Sequence, residues 1–224
     1  MEARLAQNSR LAWRLRRQRA PLFWQAAPPD PRFYLDRGQL HLTEWRLPFW
    51  DGGPPFVVVD VETTGLSPRK NGVTEVAFLR FEGGELLRFS AFVNPGEPVP
   101  PFITRLTGIR DEDVADAPPL EEVLLEARAY WTGAIWVAHN AAFDLGFLRP
   151  ALKRLGYRMN FKVLDTLSWA RTGLPALRRH GLDHLRRVLV LPSERAHRAY
   201  ADVEATYWLL HELYYLVPAL KESV

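Results

Sequence analysis

Phe56-Val57-Val58-Val59-Asp60-Val61-Glu62-Thr63-Thr64-Gly65-Leu66 decides the architecture of this chain. Its first half is apolar and β-branched at consecutive positions, which is how a strand reads when both of its faces are buried in a sheet. Asp60 and Glu62 interrupt that pattern. Because strand side chains alternate with period two, they emerge on one face about 7 Å apart at Cα. Two adjacent carboxylates inside a core are costly unless a cation neutralises them. Strand-end acids that reach solvent or an arginine are the competing explanation, which weakens as further acids converge. Gly65 permits a tight turn and a close backbone approach to a ligand.

Outward from this strand, Val73–Phe81 and Glu85–Val93 read as two more strands. Glu82-Gly83-Gly84 joins them as a tight hairpin, making a three-stranded meander. Pro118–Trp131 carries Leu120, Val123, Leu124 and Ala127 at helical spacing. Ala134–Ala138 is an apolar strand, Ala142–Leu155 a helix and Lys162–Leu164 a short strand. Helices over Thr166–Thr172, Leu182–Leu189 and Ala199–Leu216 complete the pattern. Antiparallel strands followed by strands alternating with helices predict an α/β fold, a mixed sheet of three antiparallel plus parallel strands with helices on both faces.

Asp51-Gly52-Gly53-Pro54-Pro55 stops both helix and strand. It divides a basic, aromatic-rich extension, residues 1–51, from a domain over residues 52–224. Arg4 to Trp24 reads as a short basic helix with one apolar side. The 224 residues carry a net charge of +3, and residues 1–50 hold nine Arg against four acids, so a net of +5 there leaves −2 on the remainder. Nucleic-acid binding by the domain therefore needs a local cluster, and Arg171 to Arg198 supplies seven Arg against Asp183 and Glu194. A solvated helix face is the preferred explanation of such a cluster unless another feature points to nucleic acid.

The chain has no cysteine, which excludes thiolate nucleophiles, Cys-ligated metals and a disulfide framework. The longest apolar runs fall far short of the roughly 18 residues a membrane span needs. The N-terminus lacks the apolar core of a secretory signal, so the expected location is cytoplasmic, with organellar import as the alternative.

Two further carboxylates mark a site. His139-Asn140-Ala141-Ala142-Phe143-Asp144 runs from a strand end into a helix, which puts Asp144 near the carboxyl edge of the sheet or makes it a helix cap. His197-Arg198-Ala199-Tyr200-Ala201-Asp202 opens the last helix. Five residues turn about 500° on an α-helix, so His197 shares a face with Asp202 only from the preceding loop, where it is expected. Four carboxylates and a histidine on separate elements meet the demands of two-metal phosphodiester hydrolysis, with ions about 4 Å apart. Oxygen ligands without thiolate point to two divalent ions, Mg²⁺ or Mn²⁺.

Val59-Asp60-Val61-Glu62-Thr63-Thr64-Gly65-Leu66, His139-Asn140-x-x-Phe143-Asp144 and His197-x4-Asp202 together resemble the three motifs of the DEDD exonucleases, in their histidine-bearing branch. That branch includes the proofreading epsilon subunit of bacterial DNA polymerase III and its stand-alone relatives. The tyrosine branch needs Tyr four residues before the last Asp, and Arg198 stands there. The resemblance covers roughly Phe56 to Leu216. It implies a ribonuclease-H-like fold and 3′→5′ hydrolysis of single-stranded DNA ends to nucleoside 5′-monophosphates, in proofreading or repair. By the same resemblance Asp60, Glu62 and Asp202 hold one metal, Asp60 bridges to a second, Asp144 supports the second, and His197 deprotonates the attacking water. Thr63, Thr64, Gly65 and Leu66 grip the terminal nucleotide, with Leu66 as a wedge, and His139, Asn140 and Phe143 line the groove.

Thr104–Ile109 resembles a loop near the terminal base, Asp165 reads as a helix N-cap, and Arg178, Arg179 and Arg198 become candidate phosphate contacts. His180 and His184 read as surface residues. Relatives that work inside a replicative polymerase carry a further C-terminal segment that is not found after the last helix here, which favours a free-standing enzyme. Residues 1–51 are the expected contact for a polymerase or repair partner. An RNA 3′→5′ exonuclease is the rival within the same chemistry, and a non-catalytic nucleic-acid-binding module on this fold is the rival from another class.

Overall fold

The computed structural model describes residues 33–36, 39–42, 53–158, 160–189, 191 and 197–216. The basic helix expected over Arg4 to Trp24 lies outside them. β1 (Phe33–Asp36) and β2 (Gln39–Leu42) pair antiparallel as a separate two-stranded sheet.

β3 (Phe56–Thr63), β4 (Val73–Glu82) and β5 (Glu85–Phe92) form the expected antiparallel meander. Gly83 and Gly84 turn it at φ 58° and 85°, the positive pair that a two-residue hairpin requires. β6 (Ile135–Ala138) and β7 (Val163–Asp165) add to the other side of β3 in parallel, giving the order β5-β4-β3-β6-β7.

Alternation along β3 separates two cores. Phe56 and Val58 join Ala77 and Leu79 under the last three helices, α6 (Thr166–Gly173), α7 (Leu182–Leu189) and α8 (Ala199–Leu216), whose Leu185, Val203, Leu209, Leu210 and Leu213 are fully buried. Val57, Val59 and Val61 face the opposite way, onto α3 (Leu120–Glu126), α4 (Arg128–Trp131) and α5 (Ala141–Arg154). Both faces of the sheet are thus covered, as an apolar, unalternating strand demands. Asp60 and Glu62 continue the row of Phe56 and Val58 and so point toward the side of α8. Among the described residues no helix is long and apolar enough to cross a membrane.

Two expectations need correction. The helix expected over Pro118–Trp131 is two helices that meet at Ala127. The break lets Trp131 fold back, so that its indole Nε1 donates to the Leu124 carbonyl at 2.9 Å. Thr104–Ile109 is not a loop. It lies largely in α1 (Pro101–Thr107), and α2 (Asp111–Val114) follows. Pro101 opens α1 where a missing N–H leaves nothing unpaired, and Gly108 closes it at φ 78°.

Candidate active site

The site forms where β3 outruns its parallel neighbour. β3 and β6 pair only from Phe56 to Val58, whereas β3 stays paired with β4 as far as Thr63. The backbone N–H of Val61 therefore faces away from β4 with no strand beside it. Asp144, in the first turn of α5, fills that place: its Oδ1 accepts from Val61 N–H at 3.1 Å, and the residue is 2% exposed. Asp144 is not the cap of α5. Asn140 occupies that position at φ 74°.

Across the other face of β3, Asp202 in the first turn of α8 meets Asp60 and Glu62. One carboxylate oxygen from each of the three lies within 4.8 Å of the others. Burial, aggravated by Asp144, Asp202 and Glu62, holds the Asp60 carboxyl well above the usual carboxylate range. Burial followed by Asp202 and Glu75 pushes Glu62 up to about 8. Burial likewise raises Asp144 to about 8, against the stabilising backbone hydrogen bonds. Asp202 is also raised by burial, with Arg186 opposing. Four acids that disfavour each other's ionisation, all with oxygen donors, fit hard divalent cations of the Mg²⁺ or Mn²⁺ class.

His197 precedes α8, as the spacing required, and takes φ 59° to do so. Its Nε2 lies 3.2 Å from Asp183 Oδ2, on α7. Arg186, one turn further along α7, is buried and donates through Nη2 to Asp202 Oδ1 and, at 2.7 Å, to the Ala201 carbonyl. Asp183, Arg186, His197 and Asp202 thereby form one chain of contacts between α7 and the start of α8.

A second tie runs from β4. Glu75, 2% exposed and opposite Glu62 in the ladder, accepts from Arg198 Nε at 3.0 Å, Arg198 Nη2 at 3.1 Å, Ala199 N–H at 3.2 Å and Ser90 Oγ at 3.2 Å. Arg198 is therefore committed to Glu75, which corrects its reading as a phosphate contact. Breaking a largely buried pair leaves one charge uncompensated. Arg198→Met should lower the melting temperature by several degrees and reduce activity with it, because Glu75 then repels Glu62 and the His197 loop loses its anchor. An unchanged melting curve would show that the pair does not hold this loop.

The remaining candidates sit around this centre. The Thr63 hydroxyl donates to the Gly65 carbonyl at 2.7 Å. The Thr64 hydroxyl is buried against Glu97 and accepts from Gly72 N–H at 3.0 Å, so both hydroxyls serve the turn itself. At Gly65 the close neighbour is Asn71, whose Oδ1 would stand 2.6 Å from a Cβ there. Leu66 is 86% exposed at the tip. Both ring nitrogens of His139 are engaged, by Thr166 Oγ1 at 3.0 Å and the His180 carbonyl at 2.9 Å. Asp165 caps α6 as expected, accepting from Leu167 N–H at 3.0 Å, and also holds Asn140 N–H at 2.9 Å. Phe143 packs its ring 5.2 Å from that of Phe147.

A cleft of about 370 Å³ joins Asp60, Asp202, His197 and His139. His184, half-exposed on α7, lines it, whereas His180 precedes α7 and bonds the Leu174 carbonyl at 3.0 Å. Glu75, Asp183 and Arg186 were not singled out from the sequence. Glu75 left one signal, an acid ahead of the apolar run Val76–Leu79 in its strand.

Residues 57–210, which include all four acids and His197, match the family model described as Exonuclease (RNase_T). DNA polymerase III PolC-type of Streptococcus sanguinis is 43% identical over 157 residues, 69% of this chain and 11% of that protein. The PolC-type polymerase of Oceanobacillus iheyensis is 43% identical over 160 residues, 70% of this chain and 11% of that one. The chain thus spans about a tenth of the length of these relatives. Among solved structures, exonuclease X in complex with 5′ overhanging duplex DNA superposes with a TM-score of 0.58 at 27% identity, covering 70% of this chain and 90% of that one. E. coli exonuclease I in complex with a dT13 oligonucleotide gives 0.65 at 19% identity, covering 75% and 43%, a likeness of fold. With the family match spanning both cores of the sheet and every acid of the cleft, the chain belongs to the exonuclease family.

Proposed function

We propose that this chain hydrolyses single-stranded DNA from the 3′ end, releasing nucleoside 5′-monophosphates by a two-metal mechanism in proofreading or repair. The observation that carries this reading is the convergence of Asp60, Glu62 and Asp202 beside buried Asp144, with Asp60, Asp202 and His197 lining one cleft. Asp60, Glu62 and Asp202 would hold one ion, and Asp60 with Asp144 a second. Bound divalent ions would neutralise charge on the phosphoryl oxygens and make the attacking water more acidic. His197 takes the water's proton, and Asp183 orients its ring through Nε2. The exposed Leu66 wedges against the terminal base while the turn at Thr63 to Gly65 grips the nucleotide, and Asn140 and Phe143 line its path. Similarity to DNA polymerases, and to an exonuclease solved with DNA, supports DNA over RNA. Residues 1–51 are the proposed contact for a polymerase or repair partner.

Degradation of a 5′-labelled single-stranded DNA and the matching RNA, with Mn²⁺, Mg²⁺ or EDTA, tests this. The expected result is a metal-dependent ladder shortening from the 3′ end, faster on DNA. Shortening in EDTA, or no shortening of either strand, would contradict it. His197→Ala should slow hydrolysis by about 10²–10⁴-fold at saturating metal. Hydrolysis at the wild-type rate would take His197 out of the mechanism.

A further inference from the structure

Of the seven arginines between Arg171 and Arg198, two are held by acids near the centre: Arg186 by Asp202 and Arg198 by Glu75. Arg179 and Arg187 are different. Both are exposed, both line the cleft that holds Asp60 and Asp202, and neither forms an ion pair among the described residues. His184 lines the same cleft from α7, three residues before Arg187 and so on the same helix face. Gly181 and Leu182, where α7 begins, complete this part of the lining.

A cleft with convergent carboxylates and, apart from them, guanidinium groups that no described acid pairs fits a ligand that carries more than one phosphate. The acids, once loaded with divalent ions, meet the bond that breaks. Among the described residues Arg179 and Arg187 pair with no carboxylate, which leaves their forked N–H donors for another anion. We propose that Arg179, His184 and Arg187 form a subsite for backbone phosphates of the strand on the 5′ side of the scissile bond, a proposal that rests on the exonuclease reading above. The subsite reads charge and not base identity, so it positions any sequence equally. Arg178, expected from the sequence as a phosphate contact, is exposed outside the cleft lining and is therefore not part of the subsite.

Binding of a fluorescein-labelled oligothymidylate of about twelve nucleotides to the full chain in EDTA, followed by anisotropy across roughly 50 to 200 mM salt, tests the subsite. Each phosphate contact on a single strand contributes a slope of about −0.7 to log K against log salt. The double variant Arg179→Gln/Arg187→Gln should flatten the slope by about 1.4, whereas Arg178→Gln should keep the wild-type slope. An unchanged slope in the double variant, or an equal change in Arg178→Gln, would overturn the subsite. Cleavage of the same strand by wild type in Mg²⁺ is scored separately. Shortening with an unchanged slope would retain the exonuclease and remove the subsite, and a flattened slope without shortening would do the reverse.

Discussion

Asp144→Asn should lose at least about 10³-fold in kcat/KM, roughly 4 kcal/mol of transition-state stabilisation, while the metal-free protein melts no lower than wild type at pH 8. The carboxylate of Asp144 has two separable roles. Its Oδ1 accepts the Val61 N–H that β6 leaves unpaired, and an amide oxygen can do the same. Its charge sits buried beside Asp60 and Asp202, and an amide removes that repulsion. Asp144→Ala is the contrasting variant. It removes the charge and also orphans the Val61 N–H, at a cost of about 1–3 kcal/mol, so it should be equally inactive but less stable than Asp144→Asn. Activity and melting temperature falling together in Asp144→Asn would make Asp144 a structural residue.

The second large effect is on stability against pH. Glu62 and Asp144 are both pushed up to about 8 in the folded chain, whereas unfolded carboxyls titrate near 4. Between these values the folded state binds more protons than the unfolded state. Stability therefore falls as pH rises from about 4.5 to 8 and levels off above. Each group contributes about 1.4 kcal/mol per pH unit at full effect, so the loss is of the order of several kcal/mol. Metal-free protein should thus melt roughly 10 °C lower at pH 8 than at pH 5.5. Added Mg²⁺ or Mn²⁺ should restore most of that loss at pH 8 and have little effect at pH 5.5, because the ligands must be ionised to bind. A melting temperature that is flat with pH and indifferent to metal would mean that the acids do not form a common buried cluster.

Much of this was legible because the strands carry their own pattern. Phe56–Val59 could only be central, and the Gly83-Gly84 pair fixed the meander's turn. The candidate acids stood out for the same reason: Asp60 and Glu62 stand where an apolar strand has no use for charge, and Asp144 and Asp202 open helices beside it. What could not be read was tertiary. Glu75 looks like one polar residue in a strand, and only the fold shows that it anchors Arg198 and the start of α8. Asp183 reads as an ordinary first-turn acid until α8 brings His197 to it. Arg186 and Arg187 are adjacent and chemically identical, yet helical geometry buries one on Asp202 and turns the other to the cleft. The run Pro98-Val-Pro-Pro101 hid α1, since prolines read as a break although Pro101 starts the helix. The division at Ala127 has no glycine or proline to announce it.

The proposed chemistry depends on these carboxylates forming a divalent-metal centre. Calorimetric titration of Mn²⁺ into the metal-stripped chain, repeated in buffers of different ionisation enthalpy, reads this out. Binding accompanied by proton release is predicted at pH 7, because acids raised to about 8 must surrender protons to become ligands. Binding should be abolished in Asp60→Asn. No binding by wild type, or binding that Asp60→Asn leaves intact, would mean that these acids are not a metal centre.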